Sequence, residues 1–169
     1  DTFFQVNPKS AENIFKYVKN EVQKLEKPTV LDAYAGIATF GICVSDVAGK
    51  VTSVEENSSS IEKAKKVLEL NKIRNVELFA QDTLKYLKSI KKKFDVIVLD
   101  PPRKGCTQEV LDETLLHAKS KIIYVSCNPA TLARDLKYLT EHGAKVESIQ
   151  PFDMFCHTYH IENVAIISL

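Results

Sequence analysis

The chain has 169 residues, of which 44% are hydrophobic and 27% are charged, and its formal net charge is +1 at pH 7. This composition is typical of a folded domain with a sizeable core and excludes a disordered chain. The near-neutral charge excludes nucleic-acid binding through a global basic field, so any such binding must use local patches. No apolar run approaches the ~20 residues of a membrane span. We expect one domain over residues 1–169, outside any membrane and part of a longer protein.

The four cysteines are scattered along the chain and form no Cys-x-x-Cys pair. This spacing disfavours both a zinc site and a disulfide framework, and it favours a reducing compartment. We therefore expect a cytoplasmic protein that binds no metal.

Hydrophobic periodicity predicts a regular alternation of helices and strands. An amphipathic helix opens the chain and ends near Lys27-Pro28. Five strands separated by helices follow, at 29–33, 51–54, 76–79, 94–99 and 122–125. This alternation predicts an α/β fold with a parallel, doubly wound sheet. The last two strands, at 144–149 and 163–168, have no helix between them, so they predict an antiparallel hairpin at the sheet edge with a loop over 151–160.

The most informative stretch is a predicted strand-to-helix junction at 121–135. The strand ends at Ser126, Asn128 suits a helix N-cap, and Pro129 suits the first helical position. Cys127 therefore lies at the carboxyl end of a strand, where open α/β sheets bind ligands. The adjacent helix N-terminus favours a thiolate there, so Cys127 is a candidate nucleophile. The alternative is a buried structural cysteine, which is common in protein cores.

Acidic residues lie at the predicted carboxyl ends of the first four strands: Asp32, Glu55, Asp82 and Asp100. Glu55 follows Gly36 by about twenty residues, a spacing that suits recognition of ribose hydroxyls. The turn reads Gly-Ile-Ala-Thr-Phe-Gly and lacks the Gly-x-Gly-x-x-Gly pattern that approaches a pyrophosphate. S-adenosylmethionine therefore fits better than NAD. Any one of these acids, taken alone, could instead be a solvated loop carboxylate.

Five motifs spread over the chain carry a family resemblance. They are Phe3-Phe4-Gln5-Val6-Asn7, Tyr34-Ala35-Gly36, Asp100-Pro101-Pro102-Arg103, the Ser-Cys-Asn-Pro-Ala-Thr-Leu-Ala-Arg-Asp run at 126–135, and His160-Ile161-Glu162. With these motifs the chain resembles the catalytic domain of the RNA 5-methyluridine methyltransferases, which act on uracil carbon 5 in tRNA and ribosomal RNA. The resemblance implies a Rossmann-like class I fold, S-adenosylmethionine as cofactor, RNA as partner and a monomeric enzyme.

The resemblance also implies a role for each motif. Cys127 would add to uracil carbon 6 as a nucleophile, Glu162 would remove the carbon 5 proton, and Asp100 would lie where cofactor and uracil meet. Phe3 would stack on the target base, although an aromatic residue there could equally be an anchor of the core. The cofactor contacts implied by the family are Gln5, Tyr34, Gly36, Thr39, Glu55, Asp82 and Asp100.

The sequence departs from the family pattern at three positions. Ala35 replaces the usual Cys, Ala38 a Gly, and Cys156 a Pro. We expect the first change to be silent, the second to narrow the cofactor turn, and the third to loosen a loop beside the base. We assign structural roles to His157 and His160. The RNA-binding regions that precede this domain in the family are not in the sequence, which we expect to affect RNA affinity and not the chemistry.

Three other interpretations compete with this one. An RNA 5-methylcytosine methyltransferase would place a cysteine directly after the proline at the fourth strand end, whereas Arg103 follows Pro102 here and Cys106 comes later. An amino-methylating enzyme would carry an aromatic residue in place of Arg103 and would leave Cys127 unexplained. A non-catalytic RNA- or nucleotide-binding module would have no need to retain both Cys127 and Glu162.

Positive charge is concentrated in two places. The lysines between 85 and 93 suggest a solvated face. Arg103, Lys104 and Arg134 lie near the predicted strand ends and are the better candidates for phosphate contacts.

Overall fold

The structure, a computed structural model, describes residues 8–153 and 161–169. Helices and strands alternate along these residues as the hydrophobic pattern predicts. In chain order they are α1 (Pro8–Val22), β1 (Thr29–Ala33), α2 (Thr39–Val44), β2 (Lys50–Glu55), α3 (Ser58–Leu70), β3 (Val76–Ala80), α4 (Thr83–Ser89), β4 (Phe94–Leu99), α5 (Gln108–His117), β5 (Ala118–Ser126), α6 (Pro129–Glu141), β6 (Lys145–Asp153) and β7 (Ile161–Ser168).

The strands form one sheet in the order β3-β2-β1-β4-β5-β7-β6. The first five strands pair in parallel, and β7 is antiparallel to both β5 and β6. The chain winds outward from β1 in one direction and from β4 in the other, so the strand order reverses between these two. Ligands bind at such a switch point in open α/β sheets. The predicted doubly wound sheet with an antiparallel edge hairpin is confirmed.

Both faces of the sheet are covered by helices, which is why its central strands read as continuous apolar runs. In β5, Ile122 and Tyr124 pack beneath α4, α5 and α6, whereas Ile123 and Val125 pack on the other face beneath α1, α2 and α3. The predicted helix start after Cys127 is also confirmed. Asn128 caps α6 by accepting a hydrogen bond of 3.1 Å from the Ala130 N–H, and Pro129 is the first helical residue.

The edge hairpin is longer than the sequence predicts. Strand β6 continues to Asp153 and β7 begins at Ile161, so the pairs Pro151↔Asn163 and Phe152↔Glu162 extend the ladder into the predicted loop. A proline is tolerated there because β6 is an edge strand, whose outer side pairs with no other strand of residues 8–153 and 161–169. Glu162 consequently lies on a strand within the sheet.

Candidate active site

A cavity of about 410 Å³ opens at the carboxyl ends of the parallel strands. Tyr34, Glu55, Asp82 and Asp100 line it, so four of the predicted cofactor residues come together around one space. Lys104 contributes a cation to the same wall. Three of the four strand-end acids thus share a cavity, as expected for a binding site at the switch point.

Glu55 ends β2 and organises the first turn of the site. Its carboxylate accepts hydrogen bonds of 2.9 Å from the Gly36 N–H through Oε2 and from the Asn57 N–H through Oε1. Gly36 has φ +56°, a left-handed conformation that glycine adopts without steric cost. Each carboxylate oxygen accepts more than one hydrogen bond, so Glu55 retains acceptor positions for a ligand. On the neighbouring wall, Asp82 caps α4 by accepting the Lys85 N–H at 3.0 Å.

The fourth strand-end acid, Asp32, is fully buried beneath the turn. Its Oδ2 accepts hydrogen bonds from the Gly41 N–H at 2.9 Å and the Ser53 hydroxyl at 3.0 Å. Its Oδ1 has no partner among the described residues. Burial raises the pKa of Asp32 to about 7, against those two hydrogen bonds, and the Glu55 carboxylate raises it further. Asp32 therefore supports the turn from below, and we assign the cavity wall to the other three acids.

Ala38 lies in the cofactor turn, and the expectation that it narrows this turn stays a prediction. It adopts φ +60° at the N-cap of α2, and its methyl group packs in a small core with Ala35 and Ala64. The consequence of replacing glycine is therefore conformational strain, of about 1 kcal/mol for an L-residue in this region. Thr39, the first residue of α2, is half-buried next to it.

Cys127 and Glu162 come together because β7 lies antiparallel beside β5. The ladder ends at the pair Ser126↔Asn163, and Cys127 and Glu162 are the residues that come next to that pair on the two chain segments. Glu162 is only 9% exposed, and burial raises the pKa of its carboxyl while the Arg103 guanidinium lowers it. Asp100 extends the group, since it lines a small cavity of about 20 Å³ together with Glu162.

Burial dominates the electrostatics of these three groups. It raises the pKa of Asp100 to about 8, and the Glu162 and Asp32 carboxyls add to the increase. Burial and the Glu162 carboxylate also raise the pKa of the Cys127 thiol, while a hydrogen bond from the Arg103 guanidinium lowers it. The net effect is a Cys127 pKa above the ordinary value of a thiol. The expectation that the helix N-terminus favours a Cys127 thiolate stays a prediction.

Some predicted residues lie outside the described part of the chain. Phe3, Gln5, Cys156, His157 and His160 are among them, and their roles stay predictions. The sequence interpretation also missed the effect of Arg103 on the pKa of Cys127. Their separation in the chain carries no signal for it, since it depends on how the β4–α5 loop lies against α6, where Asn128 and Thr131 donate to the Arg103 carbonyl.

Neither a metal cluster nor a membrane helix occurs where the structure describes the chain. Residues 8–153 and 161–169 contain no group of three or more His, Cys, Asp or Glu that could hold a metal ion. The helices over the same ranges include none long and apolar enough to cross a membrane.

Strand order, antiparallel edge and a site at the switch point together define the Rossmann-like fold of S-adenosylmethionine-dependent methyltransferases. A family model described as tRNA (uracil-5-)-methyltransferase matches residues 1–168. The chain belongs to this family.

Individual relatives agree with this assignment. The chain is 39% identical over 163 residues to an RNA methyltransferase of Clostridium tetani, covering 96% of this chain and 36% of the relative. It is 41% identical over 160 residues to an RNA methyltransferase of Thermotoga maritima, covering 95% of this chain and 36% of the relative. The crystal structure of Pyrococcus abyssi tRNA (uracil-54, C5)-methyltransferase in complex with S-adenosyl-L-homocysteine superposes with a TM-score of 0.81 at 34% identity, over 99% of this chain and 40% of that one. The chain thus spans well under half the length of these relatives.

Proposed function

We propose that the chain is the catalytic domain of an RNA methyltransferase that transfers a methyl group from S-adenosylmethionine to carbon 5 of a uridine in tRNA or ribosomal RNA. The observation that carries the proposal is that a thiol, Cys127, and a buried carboxyl, Glu162, directly follow the last pair of the β5–β7 ladder, with Glu162 sharing a small cavity with Asp100, which also lines the cofactor-sized cavity. Family membership and the likeness to an archaeal tRNA (uracil-54, C5)-methyltransferase support it.

The 410 Å³ cavity suits S-adenosylmethionine in size and charge. Its volume lies in the range of small-molecule sites. Glu55 retains acceptor positions that fit ribose hydroxyls. Glu55, Glu56 and Asp82 make the wall predominantly acidic, which favours a cationic sulfonium over a pyrophosphate. When bound, the cofactor supplies an electrophilic methyl group.

Cys127 makes the uracil ring nucleophilic. After its thiol proton passes to solvent, the thiolate forms a bond to carbon 6, and the electron pair of the C5–C6 double bond moves into an enolate. The enolate gives carbon 5 the electron density to accept the methyl group. Carbon 5 then carries both a methyl group and its original proton.

Glu162 completes the cycle as the base. It removes the carbon 5 proton, the freed electron pair restores the C5–C6 double bond, and the C6–sulfur bond breaks so that Cys127 leaves as a thiolate. Asp100 lines the same small cavity, but its pKa of about 8 keeps its carboxyl largely protonated at neutral pH. Burial raises the pKa of Glu162 and the Arg103 guanidinium lowers it, so Arg103 offsets part of the cost of ionising Glu162.

The proposal is tested with RNA that carries 5-fluorouridine at the target position. Fluorine takes the place of the carbon 5 proton that must be removed before Cys127 can leave, so release is blocked. The wild type should therefore remain covalently attached to RNA on a denaturing gel. Cys127→Ala should lose both adduct and methylation, whereas Glu162→Gln should methylate normal RNA but accumulate the adduct. Cys43→Ala, which changes another partly buried cysteine, is the control and should behave as wild type.

These assays use the full-length natural protein, because the chain spans only 36–40% of the length of the three relatives named above. An adduct formed by Cys127→Ala, or normal turnover by Glu162→Gln, would contradict the proposed mechanism.

A further inference from the structure

The motif that follows Cys127 contains four polar side chains to which the proposed reaction gives no role. They lie next to each other, or three or four positions apart, from the N-cap of α6 onward: Asn128, Thr131, Arg134 and Asp135. Residues at such spacings share one side of a helix. These four side chains therefore form one hydrogen-bonding surface of α6, which we call the polar face.

The polar face of α6 meets the loop that joins β4 to α5. This loop contains a tight turn, in which the Gly105 N–H donates to the Pro102 carbonyl at 2.8 Å. The Arg103 carbonyl, within the turn, accepts hydrogen bonds from Asn128 Nδ2 at 3.1 Å and from Thr131 Oγ1 at 3.2 Å. The first two residues of the polar face thus hold the turn.

The other two residues of the polar face bind the next part of the loop. Arg134 donates to the Lys104 carbonyl at 3.0 Å and to the Cys106 carbonyl at 3.1 Å. The Cys106 N–H donates to Asp135 Oδ2 at 2.8 Å. The polar face therefore binds three carbonyl groups and one N–H group of the loop backbone.

Asp135 also joins the loop to the centre of the sheet. Its side chain is 1% exposed, and its Oδ2 accepts a second hydrogen bond, of 2.5 Å, from the Tyr124 hydroxyl. Tyr124 is fully buried in β5, three residues before Cys127. The other carboxylate oxygen, Oδ1, accepts Arg134 Nε at 2.8 Å. A buried carboxylate needs such partners, and the loop, the strand and Arg134 supply them together.

Glycine is required where the loop meets the polar face. Gly105 has φ +73°, and a Cβ at this position would lie 2.6 Å from Asp135 Oδ2 and 2.7 Å from Arg134 Nη2. The loop therefore packs against these two side chains with no room for another atom.

The same loop forms one wall of the cofactor-sized cavity. Asp100, at the start of the loop, lines both this cavity and the small cavity that contains Glu162. Cys127 directly precedes the polar face. Helix α6 thus begins at the nucleophile and also binds the loop that forms the cavity wall. Four further residues of that loop line the 410 Å³ cavity: Pro102, Lys104, Gly105 and Thr107.

We propose that Arg134 and Asp135 are positioning residues, which hold the β4–α5 loop against α6 and so keep the wall of the cofactor cavity fixed relative to Cys127. This inference rests on the proposed function, in which the methyl donor must meet a uracil bound to Cys127. Reacting atoms must lie about 3–3.5 Å apart, and a misplacement of about 1 Å can cost about 100-fold in rate. A loop released from α6 should therefore bind the cofactor less tightly and transfer its methyl group more slowly.

The first test is isothermal titration calorimetry of the full-length natural protein with S-adenosylhomocysteine. Asp135→Asn keeps one acceptor oxygen in place of two, and it should weaken binding about 3- to 10-fold. Arg134→Met should weaken binding in the same range, and it keeps the test valid if Asp135→Asn does not fold, because the Arg134 side chain is 57% exposed. Arg134→Lys should recover part of the affinity, since lysine still donates to a carbonyl. Each affinity is measured at a temperature where thermal unfolding shows the variant to be folded.

Tyr138→Phe is the matched control. The Tyr138 hydroxyl donates to Asp112 Oδ1 at 2.7 Å, so this bond also joins α6 to α5 but involves no residue of the loop. The variant should bind S-adenosylhomocysteine as tightly as wild type. A loss of affinity equal to that of Asp135→Asn would overturn the positioning role, because loosening α6 anywhere would then have the same effect.

Gly105→Ala tests the same contact from the side of the loop. Its added methyl group meets Asp135 and Arg134, so it should displace the loop and weaken S-adenosylhomocysteine binding. In an Arg134→Met background it should weaken binding little further, because both changes displace the same loop. Fully additive effects would overturn the positioning role.

A second measurement separates this inference from the function on which it rests. If wild-type full-length protein forms no adduct with 5-fluorouridine RNA, the proposed function fails and this inference fails with it. If the wild type forms the adduct, and both Arg134→Met and Asp135→Asn bind S-adenosylhomocysteine and methylate RNA as the wild type does, the proposed function stands and the positioning role is refuted. A weaker RNA affinity in Arg134→Met with unchanged S-adenosylhomocysteine affinity would also refute it, because Arg134 would then be the phosphate contact predicted from the sequence.

Discussion

The role of Glu55 gives the sharpest prediction about the cofactor. Glu55→Ala removes the carboxylate proposed to accept the ribose hydroxyls, and it also removes the acceptor of the Gly36 and Asn57 N–H groups. A hydrogen bond to a charged group contributes about 1.5–3 kcal/mol, which corresponds to about 10- to 100-fold in affinity. We expect S-adenosylhomocysteine to bind the variant more weakly by this factor.

The assay is isothermal titration calorimetry with S-adenosylhomocysteine, accompanied by thermal unfolding of each variant. Loss of the two turn bonds should lower the melting temperature of Glu55→Ala, so its affinity is measured at a temperature where it is fully folded. Glu62→Ala removes an exposed acid on α3 and serves as the charge-matched control, with affinity expected to equal that of wild type.

Glu55→Gln adds a finer test. The amide oxygen accepts one of the two N–H groups, but the amide nitrogen is a donor and leaves the other N–H without a partner. We therefore expect its affinity to lie between those of wild type and Glu55→Ala. Equal affinity of wild type and Glu55→Ala would refute the assignment of Glu55, and tighter binding of NAD than of S-adenosylhomocysteine would refute the methyltransferase site.

Two further predictions concern charge. Iodoacetamide should alkylate Cys127 faster in Glu162→Gln than in wild type near neutral pH, because the Glu162 carboxylate raises the pKa of the thiol. An unchanged rate would show that this repulsion is absent. Folding of the protein raises the pKa of Asp32 from 3.8 to about 7. Between these two pH values the native state binds more protons than the unfolded state. The free energy of unfolding therefore falls as pH rises through this window, by up to about 4 kcal/mol. Urea unfolding at pH 5 and pH 8 should show a smaller loss in Asp32→Asn than in wild type, whereas Asp46→Asn, at an exposed acid, should match wild type.

The sequence by itself determined the type and order of the elements and the place of the nucleophile. Hydrophobic periodicity and capping are local properties, so the alternating strands and the α6 start at Asn128-Pro129 follow from a few adjacent residues. The same holds for the placement of Cys127 at a strand end. The sequence predicted an edge hairpin shorter than the one in the structure. Pro151 reads as a loop residue unless it is known that its strand lies at the edge of the sheet, where proline is tolerated.

Only the tertiary structure decided which of these residues act on one another. Glu162 comes near Cys127 because β7 inserts between β5 and β6, a pairing between segments far apart in the chain. Four strand-end acids look equivalent in the sequence, yet burial beneath the turn separates Asp32 from the cavity wall. Burial is likewise the largest cause of the raised pKa of Cys127. Contacts and desolvation depend on the packing of distant elements, which is why no local pattern predicts them.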